Sequence, residues 1–288
     1  MLNIKKILLP VDFPNASLAV LQQAAILARH FYSELVMLHV ATPLSHAAGV
    51  PISASERAHW DLLAEILRRA PASHSESIAK ELEGLAVQRL VVEGDAARVI
   101  VQVAEHEKAS LIMMPSHGQT FDRFLLGSVT AKVLHWTECP VWTGAHIEES
   151  TPHKFAIRNI LCAIDFGLRT EEMVSWASQM AAEFGARLTL AHVTSSVEFW
   201  GPGGSHIDQG WKDALVTDAT RRMAELQQSM NLHAEVFIGS GDVPKVLSQA
   251  ATHTSADFLV TGCYPYGGHL RTHGYAILCA VPVPVLNV

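Results

Sequence analysis

Five short stretches of this chain occur twice, in the same order. Ile7-Leu8-Leu9-Pro10-Val11-Asp12-Phe13 returns as Ile160-Leu161-Cys162-Ala163-Ile164-Asp165-Phe166. Leu35-Val36-Met37-Leu38-His39-Val40 returns as Leu188-Thr189-Leu190-Ala191-His192-Val193, and Gly94-Asp95 as Gly241-Asp242. The run from His106 to Met114 matches His253 to Thr261, and Pro140-Val141-Trp142 matches Pro284-Val285-Leu286. The offset drifts by only a few residues across the chain. A repeat of this size is too long for a solenoid unit and marks two copies of one domain.

Each half reads as strands and helices in alternation, with five strands and four helices. The strands are short continuous apolar runs, the signature of strands buried on both faces of a parallel sheet. The first helix spans about Ser17 to Phe31, with Leu18, Leu21, Ala25 and Ala28 as its apolar stripe. Its counterpart carries Met173, Ala177, Met180 and Phe184, and Gly185 stands where a left-handed residue would end it. A second helix carries Trp60, Leu63 and Leu67 in one half, and Trp211, Leu215, Met223 and Leu226 in the other. The expected fold is α/β: two tandem doubly wound, Rossmann-like domains, each with a five-stranded parallel sheet flanked by helices. The polar stretch from His146 to Ala156, with Pro152, separates them, giving domains at 1–147 and 156–288. In such sheets ligands bind beyond the carboxyl ends of the strands, at the switch point.

Composition narrows the function. The net charge is -7, and no run of Lys or Arg provides a basic face for nucleic acid. No apolar run is long enough to span a bilayer, and the first ten residues hold no signal-peptide core. Cys139, Cys162, Cys263 and Cys279 form no C-x-x-C pair and lie in or beside apolar segments, as reduced thiols of a cytoplasmic protein do. Sixteen histidines raise the question of a metal. His46, His59, His74 and His106 share no ligand spacing, however, and His39 and His192 at equivalent strand ends read as packed or hydrogen-bonded rings. No nucleophile elbow, Walker lysine or dinucleotide glycine fingerprint is present.

Three segments of the first half can carry chemistry. Asp12 follows the first strand, where a carboxylate can accept a ribose hydroxyl; it can equally cap the next helix together with Asn15 or Ser17. Pro115-Ser116-His117-Gly118 follows the strand Leu111 to Met114. Gly127-Ser128 opens a helix running from Val129 to about Trp136. A flexible glycine, a short loop and Gly-Ser at a helix start suit a phosphate, because backbone N–H groups and the helix dipole converge on the anion. The competing reading is that Gly118 merely turns and Ser128 is an ordinary N-cap.

The order of Asp12, Ser116-His117-Gly118, Leu125-Leu126-Gly127-Ser128-Val129 and Glu138-Cys139-Pro140-Val141 resembles a universal stress protein domain, and the resemblance covers nearly the whole chain in two copies. Some members of that family bind ATP through a G-x2-G-x9-G-[ST] loop and others bind none. The resemblance implies that Val11, Asp12 and Val40 lie near ribose and adenine, and that Ser116, His117, Gly118, Gly127, Ser128 and Val129 surround the phosphates. ATP or a related adenine nucleotide would be the ligand, with Mg²⁺ accompanying it. The family also implies homodimers that associate through the final strand.

The first half departs from the motif twice. Pro115 replaces the first glycine and removes an N–H, and the spacer Gln119 to Leu126 is one residue short. Arg123 in that spacer either pairs with a phosphate or stays solvated. In the second half Asp165, Val193, Gly262 and Thr272 mark a possible second site. There Gly262-Cys263-Tyr264-Pro265 puts proline at the second glycine, and Thr272-His273-Gly274-Tyr275 replaces Gly-Ser. Thr272 could cap the last helix, and Gly267-Gly268 could form an anion nest or simply turn. Trp200-Gly201-Pro202-Gly203-Gly204 reads as a mobile loop or lid. Two functions fit: a nucleotide-responsive, non-catalytic stress protein with its site in the first half, or an interaction module of the same family that binds no nucleotide. An enzyme, such as a weak ATP hydrolase, has no visible machinery.

Overall fold

The structure is a computed structural model that describes residues 2–11, 18–41, 78–115, 126–144, 155–195, 198–201, 204–207, 209–262, 265–266, 269–270 and 272–288. The first half contains β1 (Lys6–Pro10), α1 (Leu18–Phe31), β2 (Glu34–Ala41), β3 (Val87–Glu93), α2 (Ala96–His106), β4 (Leu111–Met114), α3 (Ser128–Trp136) and β5 (Val141–Thr143). The second contains β6 (Asn159–Ile164), α4 (Thr170–Phe184), β7 (Arg187–Thr194), the strands β8 (Glu198–Gly201) and β9 (Gly204–Ile207), and α5 (Gln209–Ser229). It continues with β10 (Glu235–Ser240), α6 (Val243–His253), β11 (Phe258–Thr261), the short strands β12 (Pro265–Tyr266) and β13 (His269–Leu270), α7 (Thr272–Ala280) and β14 (Val285–Asn287). The helix expected around Trp60, Leu63 and Leu67 lies outside the described residues. Among the described residues no helix is long and apolar enough to cross a membrane.

The two five-stranded parallel sheets join into one ten-stranded sheet, in the order β10-β7-β6-β11-β14-β5-β4-β1-β2-β3. The junction is antiparallel and pairs Val141 with Asn287, Trp142 with Leu286 and Thr143 with Val285. The association through the final strand that the resemblance implies for two chains is made within this one: β5 and β14 pair at the centre of the sheet, so neither is an edge, and the edge strands are β3 and β10.

Alternation along the strands sorts the apolar residues onto two faces. Ile7, Leu9, Leu35 and Met37 enter a core with α1 and α4, whereas Leu8, Val36 and Leu38 enter a core with α2, α3 and α6. Each core runs through both halves. On the first face Trp142 lies 4.8 Å from Phe258, centroid to centroid, and its indole N–H donates to Gln23 Oε1 at 2.8 Å. The ends of α1 and α4 also meet there: His30 stacks on Phe184 at 4.1 Å, and its Nε2 lies 3.8 Å from a Glu183 carboxylate oxygen.

The repeated Gly-Asp pair builds the same turn twice. Asp95 and Asp242 are the N-caps of α2 and α6 and accept from Arg98 N and Lys245 N, both at 3.1 Å. The preceding Gly94 and Gly241 take φ of 153° and 132°, a region that favours glycine. Gly185 ends α4 in the left-handed region, as its position in the sequence requires. Trp211 departs from expectation. Its helix forms and Met223 is fully buried, yet Trp211 is 53% exposed because it sits in the first turn of α5, ahead of the segment that meets the core. The Trp200 to Gly204 stretch supplies residues to an antiparallel pair rather than an irregular loop, with Trp200 opposite Ser205 and Gly201 opposite Gly204.

Because Trp142 touches both halves, the chain should unfold in one transition. Trp142→Ala is expected to destabilise it by about 3–5 kcal/mol in urea titrations, the usual cost of deleting a buried aromatic ring. Trp142→Phe, which keeps a ring but strands the buried Gln23 amide, should cost about 1–3 kcal/mol. Two separate transitions, only one of them moved by either substitution, would show that the halves do not share a core.

Candidate functional site at the carboxyl ends of the strands

The carboxyl end of the first strand in each half is held by the same histidine. His39 Nδ1 lies 3.1 Å from Val11 O, and His192 Nδ1 lies 2.7 Å from Ile164 O. A carbonyl only accepts, so Nδ1 carries the proton in both rings. Each bond pins the carbonyl just before an aspartate, Asp12 or Asp165. The ring is thus a hydrogen-bonding strap, as its position at the strand ends suggests. Val11 is further fixed by its N–H to Leu38 O at 2.8 Å. Val40 and Val193 follow the two histidines, half-buried at the ends of β2 and β7 and packed on the second core.

Asp12, Ser116, His117 and Gly118 lie outside the described residues, as do Arg123 and Cys263. What frames that segment is described. Thr130 Oγ1 in the first turn of α3 donates to Pro115 O at 3.1 Å, tying the helix start to the end of β4. Gly127 is the N-cap of α3, with φ −58° and ψ 139° and no side-chain cap bond. Ser128 is therefore the first helical residue and exposed, not the N-cap, and Val129 beside it is half-buried. The first turn of a helix has N–H groups with no intrahelical partner and the positive end of the dipole. Glycine at the cap position lets an anion approach that turn without meeting a side chain. Leu126, just before the cap, is buried, and its N–H donates to Tyr275 Oη of the second half at 3.0 Å.

The equivalent end of the second half is built differently. Asp165 accepts from Gly167 N at 2.8 Å, closing a tight turn through Phe166 at φ 54°. The Phe166 ring packs 4.6 Å from His192, and the Arg222 guanidinium lies 4.2 Å above it. A cleft of about 250 Å³ opens beside this turn, lined in part by Phe166, Thr170, Glu171 and Arg222. Gly262, the retained first glycine, abuts α4: a Cβ there would come 2.7 Å from Met173 Sδ. A larger residue there would require the Met173 side chain on α4 to shift. Thr272 is the first residue of α7. Gly267 and Gly268 lie outside the described residues, between the paired strands β12 and β13.

The described thiols are unsuited to nucleophilic chemistry. Burial pushes Cys139 and Cys162 from 9.0 up to about 12, and Cys139 Sγ donates to Ala109 O at 3.3 Å. Burial also raises Cys279, which is moderated by the Leu126 backbone and the Tyr275 hydroxyl. A thiol held protonated is a poor nucleophile at neutral pH. Sequence reasoning missed Tyr275 and Arg222. Their partners lie far away along the chain, and no local motif announces them.

These features define a tandem α/β protein of the doubly wound type, with a glycine-capped helix start beyond the end of the fourth strand of its first half. The chain belongs to the universal stress protein family, whose model matches residues 3–143 and again residues 156–273. Universal stress protein MJ0531 of Methanocaldococcus jannaschii is 34% identical over 140 residues, covering 48% of this chain and 79% of that protein. Universal stress protein MJ0577 of the same organism is 32% identical over 151 residues, covering 48% and 92%. A universal stress protein structure from Archaeoglobus fulgidus matches the fold over 99% of this chain and 96% of that one, with a TM-score of 0.69 at 21% identity.

The buried thiols set an alkaline limit to stability. Their folded pKa values lie above the unfolded value, so their contribution is complete below about pH 9 and is lost as pH rises towards about 12. From pH 8 to pH 10 each should withdraw about 1.4 kcal/mol. Denaturant midpoints at the two pH values check this: Cys162→Ala should shrink the loss by about that amount, and an unchanged loss would contradict the assignment.

Proposed function

We propose that this protein is a nucleotide-responsive stress protein that binds ATP, or a related adenine nucleotide, in its first half and does no fast chemistry on it. The observation that carries the reading is the start of α3, where Gly127 caps the helix without a side chain and exposed Ser128 follows. Such a turn offers N–H donors, a hydroxyl and a positive dipole end to a phosphate. Gly127, Ser128 and Val129, with Ser116, His117 and Gly118, would hold the phosphates and their Mg²⁺. Val11, Asp12 and Val40 would face the ribose and adenine, with the His39 strap fixing the backbone before Asp12. Domains at 1–147 and 156–288 divide the labour. The second keeps Asp165 and Val193 but commits Asp165 to its own turn and Gly262 to Met173, so it acts as a structural or regulatory copy.

The protein acts in the cytoplasm. Occupancy of the first half stabilises one arrangement of the chain, or of a homodimer of chains, by preferential binding. Since β5 and β14 already pair with each other, a homodimer would use a surface other than the final strands. A second reading, an interaction module without nucleotide, is favoured by one specific feature: Pro115 has no N–H to give at the start of the loop.

Native mass spectrometry of the purified chain and calorimetry with ATP, ADP and AMP decide between the two. The nucleotide reading expects a bound adenine nucleotide, and at least tenfold weaker ATP binding when Gly127→Val and Ser128→Leu are combined in a chain that still folds. A wild-type chain that binds none of the three replaces it with the interaction module.

A further inference from the structure

The Gly127-Ser128 turn is held in place from the other half of the chain. Leu126 precedes the cap and is anchored twice. Its side chain is buried in the second core, which also contains Ile277 and Leu278 of α7, and its N–H donates to Tyr275 Oη at 3.0 Å across 149 residues of sequence. Tyr275 and Cys279 are one turn apart on α7, on the side of the helix that meets the second core. The cap itself has no side chain with which to fix the turn. The orientation of the first N–H groups of α3 therefore depends on the Thr130–Pro115 tie within the first half and on what grips the residue before the cap.

The grip is one-sided. Tyr275 is the fourth residue of α7, and the fourth residue of α3 is Ala131, which has no hydroxyl to return. The half that has lost the Gly-Ser start supplies the acceptor to the half that keeps it. A backbone N–H at the edge of a buried segment needs a partner. A tyrosine hydroxyl provides one without adding a charge next to that helix start, and its half-buried ring packs against the second core.

We propose that Tyr275 is a positioning residue for the nucleotide site of the first half: by accepting from Leu126 N–H it sets the Gly127-Ser128 turn against the phosphates. This inference rests on the nucleotide reading above and adds that the affinity of the first half is written partly in the second. Tyr275 touches no ligand. It acts through Leu126.

The test uses the full chain and Tyr275→Phe, which keeps the ring and removes the acceptor. Amide hydrogen exchange without ligand should accelerate at least tenfold at residues 126–128 while the strands stay protected. ATP affinity should fall about five- to twentyfold, and the urea midpoint should move little. A variant whose exchange and affinity equal those of the wild type would overturn the inference and leave the nucleotide reading standing. Exchange accelerated throughout the sheet would assign Tyr275 to the fold at large and overturn it as well. A wild-type chain without affinity for ATP, ADP or AMP would remove the nucleotide reading itself, and this inference with it.

Discussion

The rest of the molecule depends on three residue pairs. A five-stranded parallel sheet with β5 at its margin would leave a row of unpaired N–H and C=O groups. In this chain β5 and β14 cover each other, and strand direction reverses between them. The polar residues at the junction are buried but satisfied across it: Thr143 Oγ1 donates to Val285 O at 3.2 Å, and Asn287 Nδ2 donates to Val141 O at 3.3 Å. Slipping the register by one residue would send Trp142 to the opposite face and strand both side chains. The register is thus specified by an aromatic ring and two polar groups together, and both cores are continuous because of it.

That arrangement is only partly legible in the sequence. The strands can be read because parallel strands buried on both faces leave apolar runs, and the two copies of each run corroborate one another. The Gly-Asp turns and the Gly185 stop are legible for the same local reason: a positive φ or a cap constrains residue type at a fixed place. The pairing of β5 with β14 is not. Both runs look like ordinary terminal strands, and nothing in Val141-Trp142-Thr143 names Val285-Leu286-Asn287 as its neighbour. The pairing of β8 with β9 is hidden in the sequence because Gly201 and Gly204 end and begin the two strands, and glycine usually argues against a strand.

The candidate site divides along the same line. The helix start at Gly127-Ser128 can be found from sequence, displaced by one position, since whether glycine or serine caps is decided by backbone angles. The histidine straps are visible as a spacing: Val11 to His39 and Ile164 to His192 are both separated by 28 residues. Gly262 misleads. A glycine retained for close approach of Met173 and one retained for a phosphate are the same letter, and only the helix packed against it tells them apart.

Divergence between the copies follows from joining them. In a dimer of identical chains a tyrosine at the fourth position of the last helix would appear on both sides of the dyad, and so would a Gly-Ser cap. Covalent duplication lifts that restriction while keeping the partner at high effective concentration. One copy can then hold Gly127-Ser128 beside a small Ala131, and the other can carry Tyr275 and abandon its own cap. The buried face around Leu126, Ile277 and Leu278 makes the Tyr275 contact possible, because a hydroxyl presented from a packed helix holds its partner more firmly than one presented from a loop. In this fold the half without a Gly-Ser helix start is the one that supplies the Tyr275 hydroxyl to the half that has it.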